Sequence, residues 1–411
     1  MKYLLVIGDG MADNPIDALG NKTPLQAANK PTIDALARKG RVGTVRTIPE
    51  GLAAGSDVAT LSIFGCDPHT AFSGRAPLEA AANDIEMNPG DVAFRCNIVS
   101  LEDTFFWYGH RMLLSHNADS ISPEESDALI EWLFYDTDFG GLAYRDKMTV
   151  YPGHSFRHIV VMEDGADKVK GLVLTPPHDH IGDRIDNLLP SGCAHAEHLK
   201  YMMSCATELL EEHPINEKRR AEGRPLANGI WFWAAGTAME LPKFKDKYGC
   251  DGAMIAAVPI CRGLGKLLGL ERIDVEGANG ELDTNYEGKA DAALEQLKKY
   301  DFVTVHVEAP DECAHNGDLD GKVKSIEYID SRVVKRIVDG LDASGEDYRI
   351  LFLSDHKTLM SNRAHDGDPV PYMIYDSRTD TKADLPSDEK SGEQGEFLED
   401  GMKLLDILFE K

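Results

Sequence analysis

Three largely apolar runs in this chain lead into an aspartate, although the first and the last lie at opposite ends of the sequence. The runs and their aspartates are residues 3–8 with Asp9, residues 302–307 with Asp311, and residues 348–354 with Asp355. Aliphatic runs of this length are typical of strands that are buried on both faces of a parallel sheet. Because ligands bind beyond the carboxyl ends of such strands, the pattern predicts that the three carboxylates converge.

Histidines follow two of these aspartates closely, namely His315, His356 and His365. Clustered carboxylates repel one another unless a cation lies between them, so this arrangement predicts a metal site. Two divalent ions bring four positive charges, three aspartates return three negative charges, and imidazoles bind as neutral ligands. One further anion, of which a serine alkoxide is an obvious example, would neutralise a site with two ions.

The segment 51–61 offers such a serine, because a loop of small residues leads into a predicted helix with Ser56 at its N-cap position. Helix N-termini attract phosphate, and a metal-activated serine there can accept a phosphoryl group. Taken singly, Ser56 is more often a plain N-cap and Asp9 a turn former. His356 or His365 alone is more often a polar loop residue. The conjunction of these residues favours a site with two metal ions.

These motifs, together with several others, resemble the cofactor-independent phosphoglycerate mutases of the archaeal type, within the alkaline phosphatase superfamily. The matching segments are residues 7–13, 55–59, 74–79, 91–97, 283–287, 308–311 with His315, 354–356 and 367–371. They follow the family's order from the first residue to about residue 375, so the resemblance covers nearly the whole chain. As a group, these motifs are specific for this family rather than for the superfamily.

The resemblance implies roles for the residues that match the family's motifs. Ser56 would be the catalytic nucleophile. The two implied metal sites are Asp311 with His315 and His365, and Asp9 with Ser56, Asp355 and His356. The family uses manganese or a similar divalent ion, and mixed carboxylate and imidazole ligands agree with manganese or zinc. Magnesium and cobalt are the further alternatives.

The activity that the resemblance implies is the interconversion of 3-phosphoglycerate and 2-phosphoglycerate, a step of glycolysis, through a phosphoserine and without 2,3-bisphosphoglycerate. Such a site must exclude water, which would hydrolyse the phosphoserine, and a closing cap domain would meet that need. The same serine and metals would also support a phosphohydrolase or a phosphotransferase with another acceptor. Bacterial members that resemble this variant have been proposed as homoserine kinases.

Substrate recognition requires local positive charge, because the net charge of −27 opposes the approach of a phosphorylated carboxylate. The candidate substrate-binding residues are Arg75, Arg95, His154, Arg157 and His158. Guanidinium groups suit phosphate and carboxylate because they form two parallel hydrogen bonds. Any one of these side chains is as often a surface charge or a strand-pairing charge.

One family motif is absent from the predicted cap. Where archaeal members typically carry Asp-Arg-Arg-Ala-Gly-Arg, residues 115–120 read Ser-His-Asn-Ala-Asp-Ser, so that His116, Asn117 and Ser120 replace three arginines. Each charge-assisted hydrogen bond that is lost is worth about 1.5–3 kcal/mol. Either neighbouring residues compensate or the substrate differs. The neighbours that could compensate are His110, Arg111 and Arg184.

The order of the motifs predicts two domains. The predicted catalytic domain consists of residues 1–75 and 226–411, in which strands and helices alternate as in a doubly wound, mostly parallel α/β sheet of the alkaline phosphatase type. Residues 76–225 hold no metal motif and are predicted to form an inserted α+β cap domain. The predicted elements include cap strands at 94–101, 142–151 and 156–162, a cap helix from Ser122, a catalytic-domain strand at 231–235, and a C-terminal helix within 395–411.

Composition narrows the class of protein further. A hydrophobic content of 42% with 27% charged residues is ordinary for a globular enzyme, and the apolar N-terminal run is too short for a signal peptide or membrane span. Seven cysteines without paired spacing indicate free thiols, hence the cytoplasm. The strong negative charge argues against nucleic acid and acidic membranes as partners. The expected partner is a small phosphorylated substrate, and a homo-oligomer is possible.

Overall fold

The computed structural model describes residues 1–104, 107–153, 155–381 and 383–410. These residues form two compact units. The first, called the sheet unit below, is Met1–Phe72 together with Glu240–Lys411, and the second, called the inserted unit, is Ser73–Met239. The chain passes from the sheet unit to the inserted unit close to the predicted boundary at residue 75. It returns to the sheet unit after Met239, which is 14 residues beyond the predicted boundary at residue 225.

The strands, in chain order, are β1 Lys2–Gly8, β2 Arg41–Val45, β3 Val92–Leu101, β4 Leu113–Ser115, β5 Met148–Tyr151, β6 Arg157–Met162, β7 Gly229–Thr237, β8 Gly252–Ile255, β9 Glu271–Ile273, β10 Phe302–Val307, β11 Tyr348–Ser354, β12 Lys357–Leu359, β13 Ala364–Asp366, β14 Val370–Asp376 and β15 Glu396–Leu398.

The helices are α1 Pro24–Ala27, α2 Pro31–Lys39, α3 Ser56–Ile63, α4 Pro68–Ala71, α5 Arg75–Ala82, α6 Pro123–Tyr135, α7 Phe139–Arg145, α8 His195–Glu211, α9 Pro214–Ala221, α10 Phe244–Tyr248, α11 Pro259–Leu268, α12 Tyr286–Leu297, α13 Ala309–Asn316, α14 Leu319–Tyr328, α15 Lys335–Ser344, α16 Glu389–Gly392 and α17 Leu404–Phe409. A π-helical segment, Ile329–Val334, joins α14 to α15. Short 3₁₀ turns lie at Asp17–Leu19, Tyr108–His110, Pro177–His180, Ile185–Asn187 and Gly401–Lys403.

The sheet unit is built around one mixed sheet that, among the described residues, has eight strands in the order β15-β2-β14-β11-β1-β10-β8-β9. Strand β1 pairs in parallel with β10 on one side and with β11 on the other. Strands β8 and β9 continue the parallel half, and β14 runs antiparallel to both β11 and β2. The predicted α/β class with a mostly parallel central sheet is confirmed.

Burial explains why the three aspartate-bearing runs form the centre of this sheet. In β1 the side chains of residues 4–7 are all buried, and every residue of β10 and β11 is buried as well. Strands covered on both faces read as continuous apolar runs because neither face meets water. The strand order reverses around β1, and such a switch point leaves room for a ligand beyond the carboxyl ends.

The inserted unit contains an antiparallel sheet in which β3 pairs with β4, β6 and β7, and β6 pairs with β5. The strand within residues 231–235, which is predicted for the catalytic domain, belongs to the inserted unit, so this part of the prediction is wrong. That segment is β7, which lies beside β3 with Trp231 opposite Asn97. Its apolar side chains Trp231 and Phe232 complete the core of the inserted unit, so the chain leaves this unit only after β7.

Helix α6 of the inserted unit begins as predicted, because Ser122 accepts a hydrogen bond from the amide of Glu125 and Pro123 occupies the first turn. The predicted strand at residues 142–151 is wrong in its first half. Helix α7 ends at Arg145, and the strand β5 starts only at Met148. A short segment that mixes apolar and charged residues is compatible with a helix or a strand, and packing against α6 favours the helix for its first half.

The C-terminal segment also departs from the prediction of one packing helix. Residues Glu396–Leu398 form β15, which adds a parallel edge strand to β2, and the helix α17 is confined to Leu404–Phe409. In the described part of the chain, no helix has the length and the apolar character needed to cross a membrane.

Candidate metal centre

The three predicted aspartates converge at the carboxyl ends of adjacent strands. Asp9 follows β1, Asp355 follows β11, and Asp311 lies in the first turn of α13, which begins directly after β10. All three carboxylates are buried. The amides of Gly10 and His356 donate to Asp355 Oδ1 at 3.1 and 2.9 Å, which fixes the orientation of that carboxylate.

One group of side chains surrounds Asp311. His315 lies one helical turn later in α13, and its Nε2 atom is 3.2 Å from Asp311 Oδ2. His365 comes from β13, and its Nε2 atom is 3.4 Å from Asp311 Oδ1. A spacing of four residues places side chains on the same helix face, which explains why Asp311 and His315 meet. The Thr358 hydroxyl also donates to Asp311.

The two histidines of this group turn their Nε2 atoms toward each other. His315 Nδ1 lies 2.9 Å from the carbonyl of Arg363, and His365 Nδ1 lies 3.4 Å from the carbonyl of Ala54. A carbonyl can only accept, so each Nδ1 atom carries the hydrogen and each Nε2 atom is left with its lone pair. The two Nε2 atoms are 2.9 Å apart, and such an approach requires a proton or a metal ion between them.

A second group surrounds Asp9. Ser56 Oγ lies 3.2 Å from Asp9 Oδ2 and 3.1 Å from His356 Nε2. His356 Nε2 also lies 3.4 Å from Asp9 Oδ1 and 3.5 Å from Asp355 Oδ2. His356 Nδ1 is 3.2 Å from the carbonyl of Lys357, which again directs Nε2 into the group. The sequence-predicted members of both metal sites therefore lie together.

Ser56 is positioned by the start of α3. The predicted N-cap position of Ser56 is wrong by one residue, because Gly55 is the N-cap and Ser56 is the first residue of the helix. The carbonyl of Ser56 accepts a hydrogen bond from the Thr60 hydroxyl one turn later. The hydroxyl of Ser56 therefore lies at a helix N-terminus, where backbone amides and the helix dipole favour negative charge. A serine held in this position can carry either an alkoxide or a phosphoryl group.

The electrostatics of the centre require positive charge. Burial raises the pKa of Asp9 well above its usual value, and the charges of Asp355 and Asp311 raise it further. Burial alone would raise the pKa of Asp311, but the neighbouring side chains of His315 and His365 outweigh this effect and lower the pKa of that carboxyl. Asp355 Oδ2 is buried and has no hydrogen-bond partner among the described residues. Oxygen and imidazole donors that face one another in this way fit divalent metal ions.

Sequence reasoning missed His306. This histidine lies in β10 opposite Ile7 of β1, and its Nε2 atom is 3.2 Å from Asp9 Oδ2. Both of its ring nitrogens are buried without a hydrogen-bond partner in the described structure, and Asp9, His306 and Asp355 form a further group with metal-ligand spacing. A histidine inside an otherwise apolar buried strand was the available signal.

Two further residues that the sequence did not single out hold the loops of the centre. The buried Lys322 donates to Asp13 Oδ2 at 2.9 Å and to the carbonyl of Thr358 at 2.6 Å. Gly10 has a φ of +59°, and a Cβ atom there would lie 2.6 Å from Asp311 Oδ1. The loop after β1 can therefore pass this close to Asp311 only with glycine at that position.

The predicted substrate-binding residues lie in the inserted unit, except that His154 falls outside the described residues. Arg75 begins α5. Arg95 is buried and its Nε atom donates to Glu79 at 2.8 Å. Arg157 stacks near the rings of Phe156 and Trp233. His158 is fully buried with its Nε2 atom 2.9 Å from Ser126 Oγ, and burial lowers its pKa to about 4. Arg95 and His158 thus have internal partners.

The loop that lacks the family's arginines follows β4. Asn117 Oδ1 accepts hydrogen bonds from the Ser115 hydroxyl at 2.8 Å and from the Ser120 amide at 3.1 Å, so its side chain shapes the loop. The ring of His116 packs against Phe156 and His178, with centroids 5.6 and 6.2 Å away. Of the residues proposed to compensate, Arg111 is buried and ion-paired with Glu211.

The fold and the centre define an α/β protein in which a serine lies among side chains arranged to hold metal ions. The sequence profile of the 2,3-bisphosphoglycerate-independent phosphoglycerate mutase family matches residues 37–216. A 2,3-bisphosphoglycerate-independent phosphoglycerate mutase from Methanosarcina barkeri is 44% identical over 96% of both chains.

Solved structures agree with this match. A Pyrococcus horikoshii protein is 32% identical with a TM-score of 0.80, covering 100% of this chain and 96% of its own. A cofactor-independent phosphoglycerate mutase from Thermoplasma acidophilum is 26% identical with a TM-score of 0.67, covering 100% and 99%. The chain belongs to the 2,3-bisphosphoglycerate-independent phosphoglycerate mutase family, so the resemblance seen in the sequence is confirmed.

Proposed function

We propose that this chain interconverts 3-phosphoglycerate and 2-phosphoglycerate and that Ser56 carries the phosphoryl group between the two positions. The observation that supports this best is the position of Ser56 Oγ, which lies within 3.2 Å of both Asp9 and His356 at the N-terminus of α3. Relatives that bear the name 2,3-bisphosphoglycerate-independent phosphoglycerate mutase cover nearly the whole chain, which supports the choice of reaction.

The same proposal includes two divalent metal ions, with manganese as the first candidate. Asp311, His315 and His365 would hold one ion, and Asp9, Ser56, Asp355 and His356 would hold the other. His306 is an added candidate for the second ion, because its Nε2 atom also faces Asp9. When bound, such ions lower the pKa of a serine hydroxyl and neutralise phosphate oxygens. The close Nε2 atoms and the unpartnered Asp355 oxygen support this assignment.

In the proposed reaction, the Ser56 hydroxyl loses its proton and its Oγ atom attacks phosphorus, while the bond from phosphorus to the C3 oxygen of 3-phosphoglycerate breaks. The C3 oxygen gains a proton as the phosphoserine forms. The C2 hydroxyl then loses its proton and attacks the same phosphorus. The bond from phosphorus to Ser56 Oγ breaks, the serine oxygen regains a proton, and 2-phosphoglycerate is formed. The N-terminal end of α3 stabilises the negative charge on the phosphoryl oxygens in both steps. Phosphate is never free, so the site must exclude water.

Arg75 and Arg157 are the proposed contacts for the substrate's anionic groups. Neither side chain is fully buried, and a guanidinium binds a carboxylate through two parallel hydrogen bonds. Arg95, His154 and His158 stay in the proposed set. The internal partners of Arg95 and His158 favour an indirect role, in which they hold neighbouring residues in place.

A second candidate function rests on the loop at residues 115–120. Since His116, Asn117 and Ser120 supply none of the three arginine charges that archaeal members typically carry there, the acceptor could differ from glycerate. A phosphotransferase related to homoserine kinases would then use the same serine and metal centre with a phosphoryl donor. A phosphohydrolase is the remaining alternative, and it would release free phosphate.

Phosphorus NMR of 3-phosphoglycerate with the manganese-loaded protein separates these functions. The proposal predicts a signal of 2-phosphoglycerate without free phosphate. Free phosphate alone would support a hydrolase. No conversion by a protein that holds two metal ions per chain would contradict the mutase, and homoserine with a nucleotide donor would then be tested.

The proposed location is the cytoplasm. All seven cysteines are free thiols, as expected for a protein in a reducing compartment. Fractionation of cells that produce the protein from its own gene would test this, because recovery outside the cytoplasmic fraction would contradict it.

A further inference from the structure

Two histidines from separate loops of the inserted unit lie side by side. His116 follows β4 and is partly exposed, and His178 lies in the turn Pro177–His180 and is exposed. Their ring centroids are 6.2 Å apart. His116 packs against Phe156 and His178 packs against Trp233, with centroid distances of 5.6 and 5.2 Å. Aromatic rings therefore hold both imidazoles in place and leave them open to a ligand.

The same two aromatic rings also contact Arg157. The guanidinium carbon of Arg157 lies 5.3 Å from the ring centroid of Phe156 and 6.0 Å from that of Trp233. Its Nε atom is buried and has no hydrogen-bond partner in the part of the chain that the structure describes. A buried donor without a partner is unfavourable, which indicates that Arg157 donates to a ligand when one is bound.

The charges around Arg157 favour an anionic ligand. Burial lowers the pKa of Arg157, and the charges of Arg95 and Arg75 lower it further. Glu79 acts in the opposite direction, but this carboxylate already accepts a hydrogen bond from Arg95 Nε at 2.8 Å. An added negative charge beside Arg157 would relieve the repulsion between the guanidinium groups.

The side chain of Asn97 in β3 fixes the geometry of this region. Its Nδ2 atom donates to the carbonyl of His116 at 3.0 Å, and its Oδ1 atom accepts a hydrogen bond from Trp233 Nε1 at 2.9 Å. One amide therefore positions both the loop that carries His116 and the ring against which His178 packs. Such support holds binding groups in one arrangement before the ligand arrives.

We propose that His116, His178 and Arg157 form a subsite for the carboxylate of the substrate, in which the two imidazoles replace the arginines absent from residues 115–120. The inference rests on the proposed function, because that reaction places the phosphoryl group at Ser56 and leaves the carboxylate as the other anionic group. The subsite lies wholly within the inserted unit. His116 and His178 are thus specificity-determining residues of this chain.

The imidazoles act as uncharged donors in this subsite. Burial lowers the pKa of His116 and of His178, and the charge of Arg157 lowers both further. A neutral imidazole donates one hydrogen bond, and a carboxylate accepts several, so two imidazoles and one guanidinium satisfy it together. This arrangement adds no positive charge to a region that already contains Arg75 and Arg95.

The subsite also distinguishes between classes of acid. Asp179 lies 3.7 Å from His178 Nε2, but its side chain is 63% exposed, and Glu79 is bound by Arg95. An α-ammonium group would therefore meet guanidinium groups without a buried carboxylate that is free to compensate it. The expected substrate class is a phosphorylated 2-hydroxy acid, in preference to a 2-amino acid such as homoserine.

The experiment compares three ligands by isothermal titration calorimetry with the manganese-loaded Ser56→Ala chain, in which turnover is blocked. Glycerol 3-phosphate lacks the carboxylate of 3-phosphoglycerate, and O-phosphoserine, tested in both configurations, carries an ammonium group in place of the hydroxyl. The affinity for 3-phosphoglycerate should exceed the affinities for both other ligands by at least about tenfold.

Two further substitutions in this background locate the preference. His116→Asn combined with His178→Asn should weaken binding of 3-phosphoglycerate by about tenfold and leave the affinity for glycerol 3-phosphate unchanged. His180→Asn is the matched control, because His180 lies in the same turn but pairs with Asp183, and it should change neither affinity. His116→Arg combined with His178→Asn should restore the preference for the carboxylate. Circular dichroism checks the fold of each variant.

The results separate this inference from the proposed reaction. An unchanged affinity ratio of 3-phosphoglycerate to glycerol 3-phosphate in the double variant would overturn the subsite, even if the unchanged protein is a mutase. Equal binding of O-phosphoserine and 3-phosphoglycerate would overturn the preference for a hydroxy acid. If the unchanged protein does not convert 3-phosphoglycerate, the proposed reaction fails, whereas a carboxylate preference that the double variant loses would still support the subsite.

Discussion

The metal centre of the sheet unit and the core of the inserted unit differ in how their buried charges are paired. In the inserted unit, buried guanidinium groups have carboxylate partners within the unit, and the pairs are Arg95 with Glu79, Arg111 with Glu211, and Arg219 with Glu125. In the sheet unit, Asp9, Asp311 and Asp355 face one another and a ring of histidines. Among the described residues, none of these three carboxylates forms an ion pair with a lysine or an arginine.

The difference distinguishes charges that stabilise the fold from charges that are arranged to bind a ligand. In a buried ion pair each charge compensates the other, so removing one partner leaves the other unpaired and destabilises the unit. A cluster of like charges is destabilising until a cation arrives, and such strain persists only where the surrounding structure enforces it. Four predictions test this distinction, and they are given from the largest expected effect to the smallest.

Ser56→Ala should produce the largest effect. Removing the nucleophile is expected to lower turnover of 3-phosphoglycerate by at least about 10⁴-fold while the fold stays intact. Phosphorus NMR measures the conversion, and circular dichroism checks the fold. Ser62→Ala in the same helix is the matched control and should retain most activity. If Ser56→Ala turned over at a normal rate, the phosphoserine route would be wrong.

Asp9→Asn and Glu79→Gln should shift the stability of the metal-free protein in opposite directions. Glu79→Gln leaves Arg95 buried and unpaired, which should lower the free energy of unfolding by about 3–5 kcal/mol. Asp9→Asn removes a carboxylate whose pKa is raised by burial and by neighbouring charges, so it should raise that free energy by about 1 kcal/mol or more.

Urea unfolding in the presence of a chelator measures both changes. Metal-loaded protein provides the second arm, in which Asp9→Asn should lose its advantage because the ligand is missing. Equal destabilisation by both substitutions without metal would remove the distinction between the two units.

Gly10→Ala should weaken metal binding by a route that Gly20→Ala does not share. Both glycines have a positive φ, so each substitution should cost about 1–2 kcal/mol of backbone strain. A Cβ atom at Gly10 would also press against Asp311, whereas the space around Gly20 is open. Manganese titration should therefore show at least about a tenfold loss of affinity for Gly10→Ala alone. Equal affinities in the two variants would show that the approach of Gly10 to Asp311 is not required.

His306→Gln should give the smallest effect. His306 borders the centre with one ring nitrogen toward Asp9. Its loss should therefore lower the affinity for one metal ion by about tenfold and leave the affinity for the other ion unchanged. Two-step metal titration by calorimetry distinguishes the two affinities. If the affinity for both ions fell, His306 would be required for the structure of the whole centre. If neither affinity changed, His306 would have no role in metal binding.

Much of the centre could be predicted from local patterns. A continuous apolar run is enough to predict a central strand that is buried on both faces. The position of each aspartate at the carboxyl end of its strand then predicts that it lies at the ligand-binding edge of the sheet. Asp311 and His315 meet because a helical turn brings them together. His306 escaped prediction because a histidine in a buried strand is visible in the sequence, but its neighbour Asp9 is set by the register between β1 and β10.

The boundary of the inserted unit, by contrast, could not be predicted from local patterns. The strand within residues 231–235 was recognised, yet its unit was not, because strand propensity is local and pairing is not. Only the packing of Trp231 and Phe232 against the core around β3 assigns β7 to the inserted unit. The same holds for residues 142–151, where tertiary contacts divide one predicted strand between α7 and β5.

Local sequence patterns are sufficient to predict the α/β class, the central strands, a helix that starts close to Ser56 and the convergence of three aspartates with their histidines. These features depend on burial patterns and spacings that lie within short segments. Three features emerge only from long-range packing: the buried carboxylate partners of the arginines, the approach of His306 to Asp9, and the approach of His116 to His178. Those contacts join segments far apart in the chain, and they arise from the register of strands and the packing of helices, which no single segment encodes.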